Sequence, residues 1–435
     1  MSILSLLALA ALVPDIGLKV STFGFVWTIY RFLSIASLLL IIILDRGTLH
    51  VNKGDFHLQW IKLMIVWVLY GFLSMQISTY SDRHAGYIEL LSILNGSIIL
   101  YVSYAVSVNQ DVFEKLVKTI RYVLIVFLII GFVEISTGKH LNASMFNDTS
   151  NRTVVLYNLS RNVATGLMYN QNDFSAFITS LNCVCFYQSR KRTKWIYMIL
   201  VFIVNIVNNA TICNSSIIVG LLFYYLILNN FRGDRSKFKI VIFILLTVFI
   251  ILFGLIFDYT DSIFGRYLSS IDIQISNVRL ATGSLYKRLI IYFDSIRALI
   301  RSWFLGVGPS GITNYFKENP SISGLTDPHA LLLEILSQYG VLIFTWFVVL
   351  LVKMFNYSRR GFFSVNNDSE NRYLMSMQVI ITYVIVSFAP STFIGYSYQW
   401  LLIAVCCNGL QSHKTLNEIR INLSAKSLNE GKEII

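Results

Sequence analysis

The chain has 435 residues, of which 55% are hydrophobic and only 13% charged, with a mean hydropathy of +0.63. Soluble proteins carry about 25% charged residues, so water is not the main solvent of this chain. A net charge of +12 would suggest a nucleic-acid partner in a soluble protein, but here the basic residues fall in short clusters between apolar runs, a membrane pattern that argues against nucleic acid.

Apolar runs of about 18 to 22 residues recur along the chain, each long enough to cross roughly 30 Å of hydrocarbon as a helix. In chain order they predict spans near 2–20, 22–44, 58–78, 88–107, 118–136, 164–187, 195–212, 214–230, 240–257, 330–352, 373–389 and 391–410. The expected fold is therefore all-α, a polytopic transmembrane protein of about twelve spans. Pro14 and Asp15 interrupt the first run, which lacks a basic leader and reads as a short first helix rather than a cleaved signal peptide. The pair of runs around Asn208 to Ser216 also reads as one broken element.

Basic residues mark every second connection: Arg46 and Lys53, Lys115 and Lys118, the run at 190–194, the cluster at 232–239, and Lys353 with Arg359 and Arg360. The positive-inside rule puts these connections, and both termini, in the cytoplasm. The expected organisation is a nine-span region over 1–257, a large extracytoplasmic loop over 258–329, a three-span region over 330–411 and a cytoplasmic tail over 412–435. Sequons at Asn142, Asn147, Asn151 and Asn158 carry little weight in an Asn-rich chain. The five cysteines lie in or beside apolar runs without metal-site spacing and read as core residues.

Charges inside the runs are informative because each costs about 2.5 to 3.5 kcal/mol in hydrocarbon unless it faces protein or water. Under this topology Arg31, Glu89, Glu134 and Asp173 fall toward outer helix ends, while Lys62 and Arg121 lie near inner ends and can snorkel. For Glu89 and Glu134 snorkelling and a polar cavity both remain open. Arg31 and Asp173 lie further from the ends and favour an outward-facing cavity. No charge marks the midplane, which argues against an ion-coupled transporter.

In the large loop, Leu285, Leu289, Phe293, Ile296, Ile300 and Trp303 recur at steps of three and four, the apolar face of a surface helix. Lys287, Arg288, Asp294, Arg297 and Arg301 occupy its other side. Headgroup anchoring and a clamp for a lipid-linked diphosphate are both open readings of that face. The helix ends at a turn containing Gly306, Gly308 and Gly311, able to approach a ligand closely. Further on, Asp327 reads as an N-cap and Pro328 as the first residue of the next helix, placing His329 in its first turn, where the helix dipole favours neutral imidazole.

These residues resemble a known family, the bacterial O-antigen polymerase and O-antigen ligase superfamily of membrane glycosyltransferases. The resemblance is carried by TGLMYNQND at 165–173, by Arg288 some eighteen residues before Gly306-Val307-Gly308, and by His329 opening a helix with Leu333-Glu334 and Gly340 beyond. Ala330 and the residues before the glycine turn depart from the family pattern. The resemblance implies glycosyl transfer at the outer face of a bacterial plasma membrane, from a polyprenyl-diphosphate-linked oligosaccharide to a sugar hydroxyl. In that reading His329 acts as the base and Arg288 stabilises the leaving diphosphate. Substrate contacts fall to Arg279, Arg301, Arg161, Asn170, Asn172, Asp173, Arg31, Gly306 and Gly308. No metal and no cofactor is expected. The expected partners are lipid-linked oligosaccharides, membrane lipids, and a chain-length regulator and flippase of the same pathway. The Asp-Pro-His start and Gln338-Tyr339-Gly340 look most like capsule and exopolysaccharide polymerases. A ligase-type transfer, a flippase or exporter, and an assembly scaffold are the rival readings.

Overall fold

The computed structural model describes residues 3–13, 20–22, 25–45, 55–106, 110–141, 162–168, 170–230, 284–321, 324–328, 330–364, 370–390 and 394–410. The predicted span at 240–257, most of the first part of the large loop and the tail lie outside them. Among the described residues the chain is helical apart from a two-stranded antiparallel hairpin, β1 (Val20–Thr22) and β2 (Phe25–Trp27), with Ser21 opposite Val26. The helices are α1 (Ile3–Leu12), α2 (Ile29–Asp45), α3 (Phe56–Ile77), α4 (Arg83–Val106), α5 (Gln110–Thr137), α6 (Gln171–Tyr187), α7 (Lys191–Val207), α8 (Thr211–Asn230), α9 (Ser284–Arg301), α10 (Gly311–Glu318), α11 (Leu331–Ser364) and α12 (Glu370–Val386), followed by α13 over 397–410.

Four of these, α3, α4, α5 and α11, are long and apolar enough to cross a membrane. The chain is thus a helical membrane protein. Its first two elements differ from the expected spans: Pro14 and Asp15 follow a helix of only ten residues, and the hairpin occupies the start of the second run. Asn208 and Asn209, the latter at φ +55°, separate α7 from α8, so the run around 208–216 holds two helices.

Helix α6 is the centre of the bundle. Every residue from Asp173 to Tyr187 is buried, and α5, α7, α8 and α12 all pack on it. A helix covered on all sides has no solvent-facing stripe, which explains its low amphipathicity. Its polar residues bond across to neighbours: Asn205 Nδ2 donates to Thr179 Oγ1 at 2.8 Å, and Tyr187 Oη donates to Gln378 Oε1 at 3.4 Å. Such interhelical bonds are worth about 0.6 kcal/mol each between membrane helices. A second centre lies where α3, α11 and α13 cross. There the Trp67 ring stands edge-on to Tyr339, Phe347 and Trp400 at 5.2, 5.9 and 6.1 Å. Gly96 of α4 sits against Trp400, where the absence of a side chain lets the two helices close.

Helix α11 is broken at Gly340, which has φ +72° and ψ −177°. The break frees the carbonyls of Ser337 and Gln338 and the amide of Val341, and each must find a partner. The glycine turn supplies them. Val307 N donates to Ser337 O and Gly308 N to Gln338 O, both at 2.9 Å, while Val341 N donates to Phe304 O at 3.1 Å. The turn's own carbonyls are taken by α3 and the α3–α4 connection: Tyr70 Oη donates to Leu305 O at 2.6 Å, Ser78 Oγ to Val307 O at 2.5 Å and Ser81 Oγ to Pro309 O at 2.8 Å. Glu89 completes the joint, accepting from Ser310 N and Ser310 Oγ at 2.9 and 2.7 Å and from Tyr339 Oη at 2.5 Å. The segment from α9 to α10 is thereby stapled to the end of the bundle at which α3 meets α4.

Candidate functional site

Helix α9 presents three faces rather than the two expected. Ile291, Ser295 and Ala298 are buried against the protein. Phe293, Ile300 and Trp303 are exposed to 70%, 56% and 85%. Arg297 and Arg301 are exposed on the remaining side. The exposed apolar face has the spacing of the predicted surface stripe. Arg288 departs from the expected polar side: it lies on the protein-facing side, one helical turn before Ile291 and Tyr292.

There the guanidinium meets the turn that ends α12. Arg288 Nη1 donates to Phe388 O, and Nη2 donates to Ala389 O at 3.2 Å. Tyr292 stands beside it, its ring 6.1 Å from that of Phe388 and its hydroxyl bonded to the guanidinium. Burial lowers the pKa of Arg288 from its ordinary value, partly offset by Tyr292 and Cys213. Burial likewise raises the Tyr292 hydroxyl. Among the described residues no carboxylate pairs with this guanidinium.

The same turn receives the start of α11, since Leu331 N donates to Ser387 O at 3.3 Å. Arg288 and the residues opening α11 therefore converge on three consecutive carbonyls, those of Ser387, Phe388 and Ala389. His329 lies outside the described residues, as do Arg279 and Arg161. Its neighbours Pro328 and Ala330 are buried. Asp327 does not cap a helix beginning at Pro328: α11 starts at Leu331, and Asp327 Oδ1 instead accepts from Thr313 Oγ1 of α10 at 3.0 Å.

On the other side of that turn, Ala389 packs with Ala176 of α6 and with Ala210 and Cys213 at the head of α8. Asp173 lies three residues before Ala176 on the same face of α6 and is 1% exposed. Asn170 caps α6, accepting from Asn172 N at 2.8 Å and Asp173 N at 3.0 Å. Its Nδ2 donates to Asp173 Oδ2 at 2.9 Å, and Tyr396 Oη donates to the same oxygen at 2.6 Å. Asp173 Oδ1 is buried with no hydrogen-bond partner. The charges of Arg288 and Asp173 both act on Cys213, which lies between their elements. The result is a buried polar cluster in which the Arg288 guanidinium and a half-satisfied carboxyl share one end of the bundle.

The other candidate residues are placed elsewhere. Arg301, at the far end of α9 and roughly 20 Å from Arg288 along the helix, donates to Tyr315 Oη and Asn319 Oδ1 at 3.1 and 2.8 Å. Arg31 is on α2, which packs chiefly on α1 and α4. Gly306 and Gly308, at φ +88° and +87°, approach the broken segment of α11. Glu134 is consumed by backbone, accepting from Leu141 N at 2.9 Å and from Thr165 N and Gly166 N at 2.7 Å.

Sequence reasoning passed over Asn208, which clamps the segment before α6: its Oδ1 accepts from Ala164 N at 2.8 Å, and its Nδ2 donates to Ala164 O and Ser175 Oγ. An Asn between two apolar runs, where a loop needs no buried amide, is the signal. Asp55, His57 and Ser103 form a second polar group at the opposite end of the bundle. Asp55 Oδ1 lies 3.0 Å from His57 Nδ1, and Ser103 Oγ lies 3.3 Å from His57 Nε2. The spacing imitates a hydrolytic triad, but Ser103 is wholly buried and already accepts from Asn408 Nδ2, so no substrate reaches it. Among the described residues no group of three His, Cys, Asp or Glu side chains is placed to hold a metal ion.

No family model matches the chain, and no curated protein or solved structure matches it either. Its class rests on the fold alone: a helical membrane protein with a buried charged cluster at one end.

Proposed function

We propose that this chain is a membrane glycosyltransferase that joins lipid-diphosphate-linked oligosaccharide units into a surface polysaccharide at the outer face of a bacterial plasma membrane. The observation that carries the reading is Arg288. A guanidinium held half-buried on two carbonyls, with no carboxylate pairing to it among the described residues, is costly to keep and gains most from an anionic ligand. A diphosphate leaving group is such a ligand. Guanidinium binds phosphate oxygens in pairs and stabilises charge as it grows, worth about 3 to 4 kcal/mol for a key donor.

The reading is supported further by what surrounds Arg288. The exposed face of α9, with Phe293, Ile300 and Trp303, suits a helix lying in the headgroup layer, where the diphosphate of a lipid carrier resides. In this proposal the chain crosses the membrane about twelve times, with both termini cytoplasmic and the α3–α4 end outside. His329, two residues before α11 in the chain, takes the proton of the attacking sugar hydroxyl, a contribution of roughly 10² to 10⁴ in rate. Arg279 assists Arg288, and the Asn170–Asp173 cluster binds sugar hydroxyls.

The test is chain growth by purified protein given lipid-linked repeat units alone. Arg288→Ala and His329→Ala should each abolish lengthening while leaving the protein monodisperse in detergent. Lengthening at the wild-type rate by either variant would remove that residue from the mechanism. Transfer seen only after a lipid acceptor is added would make the chain a ligase, and unit transport without bond formation would make it an exporter.

A further inference from the structure

At the opposite end of the bundle a cavity of about 530 Å³ opens between the start of α5, the end of α6 and the start of α7. Lys118 and Arg121 line it from one face of α5, and Gln188 lines it from the C-cap of α6. Val117, Ile125 and Tyr197 supply an apolar wall. At about 1.5 Å per helical residue, Gln188 lies roughly 22 Å along α6 from Asp173, so this site is separate from the Arg288 cluster.

The charge of the cavity is unbalanced. Glu114, the carboxylate of the lining, faces Arg372 at 4.0 Å, which leaves Lys118 and Arg121 in excess. Arg121 is fixed across the α5–α6 gap by a bond from Nη2 to the Gln188 carbonyl. Beside that bond, Arg121 Nε and Gln188 Nε2 are buried donors with no hydrogen-bond partner. Unsatisfied buried donors cost about 1 to 3 kcal/mol each, and acceptor oxygens would recover that cost. An ammonium and a guanidinium next to an aliphatic and aromatic wall match a phosphate carried on an apolar group. The volume is that of a small-molecule site.

We propose that this cavity binds a phosphate-bearing anion, with the phosphate on Lys118 and Arg121 and its attached group against Val117, Ile125 and Tyr197. An anionic lipid headgroup and a soluble phosphate ester offer the same chemistry. The binding is independent of the reaction assigned to the other end of the bundle and of the orientation proposed for the chain.

Native mass spectrometry of detergent-purified protein, supplied with equal amounts of phosphatidylglycerol and phosphatidylcholine, tests the lipid source. Wild type should retain phosphatidylglycerol preferentially, and Lys118→Gln and Arg121→Gln should each reduce that retention by about fivefold, the weight of one cation near a membrane surface. Thermal unfolding with millimolar inorganic phosphate tests the soluble source: stabilisation of wild type, lost in both variants, without a lipid preference, supports the site with a soluble ligand. Arg121→Gln also removes the bond to Gln188, so Lys118→Gln, an exposed position, keeps the test open if the former does not fold. Absence of both responses in wild type, or responses that survive Lys118→Gln, would overturn the proposal.

Discussion

Gly306 and Gly340 are each required by the other. A Cβ on Gly306 would lie 2.6 Å from the Gly340 nitrogen, and a Cβ on Gly340 would lie 2.6 Å from the carbonyl carbon of Leu305. Both have left-handed backbones, at φ +88° and +72°. The joint between the glycine turn and the broken helix is therefore a contact of bare backbones, with hydrogen bonds in both directions.

Replacing either residue with Ala should lower the thermal unfolding temperature sharply. The left-handed conformation costs about 1 to 2 kcal/mol for a residue with a Cβ, and the clash adds to it. Gly324→Ala is the control, because Gly324 has φ +68° but open space around it, so it carries the backbone cost alone. The double Gly306→Ala/Gly340→Ala variant should fall short of additivity, since either change opens the same joint. Equal melting of Gly340→Ala and Gly324→Ala would argue against the contact.

Glu89→Gln should destabilise the protein by about 1 to 3 kcal/mol, because an amide turns one acceptor into a donor facing Ser310 or Tyr339. Tyr339→Phe should do so more mildly. A double-mutant cycle between the two should give a coupling of about 0.5 to 3 kcal/mol, and a coupling of zero would place Glu89 outside the joint.

Asp327 offers a pH test. Burial raises its carboxyl above the ordinary value, although Thr313, Thr326 and Lys317 oppose the shift. With the folded value above the unfolded one, the stability it contributes is present while it is protonated and is lost as pH rises from the ordinary aspartate range through the raised value. Asp327→Asn should therefore melt higher than wild type near neutral pH, with the difference shrinking on acidification. A gap that widens at low pH would reverse the assignment.

Arg288→Lys and Asp173→Asn separate folding from the proposed transfer. A lysine ammonium cannot reach two carbonyls and still present a planar fork to a diphosphate, so lengthening should fall by about tenfold or more, one tenfold step being 1.4 kcal/mol of barrier. Asp173→Asn keeps the shape of a carboxyl that accepts from Asn170 and Tyr396, and it should leave melting close to wild type while reducing lengthening. Unchanged rates in both variants would detach the cluster from the chemistry.

Hydropathy alone made α3, α4, α5 and α11 legible, because a span must be long and apolar to satisfy its backbone within lipid. Where helices are shorter than a span, as at α1 and α2, hydropathy merged helix with hairpin, since apolar residues suit both. The break at Gly340 was not legible either. One glycine in an apolar run is an ordinary event, and only a segment more than thirty residues upstream, at Gly306, gives it a reason. The cluster was readable in part: Arg288 and Asp173 stood out as charges, and Asn170 as part of the motif at 165–173, although not as a cap. Tyr396 and the carbonyls of residues 387–389 carried no signal, because tertiary packing alone brings a tyrosine and a turn to them. Asp327 was misread for the reason that makes caps persuasive: an aspartate before a proline fits a helix start, but Thr313 competes for the same oxygen.

The swap of hydrogen bonds at Gly340 also makes two distant segments of the chain interdependent. The amides of Val307 and Gly308 and the carbonyls of Ser337 and Gln338 pair with one another only when the turn is docked on α11. A straight α11 would return Val341 N to Ser337 O, so the bent helix and the docked turn depend on each other. A connection too short to let Val307 and Gly308 reach Ser337 and Gln338 would therefore favour the straight helix over the bent one.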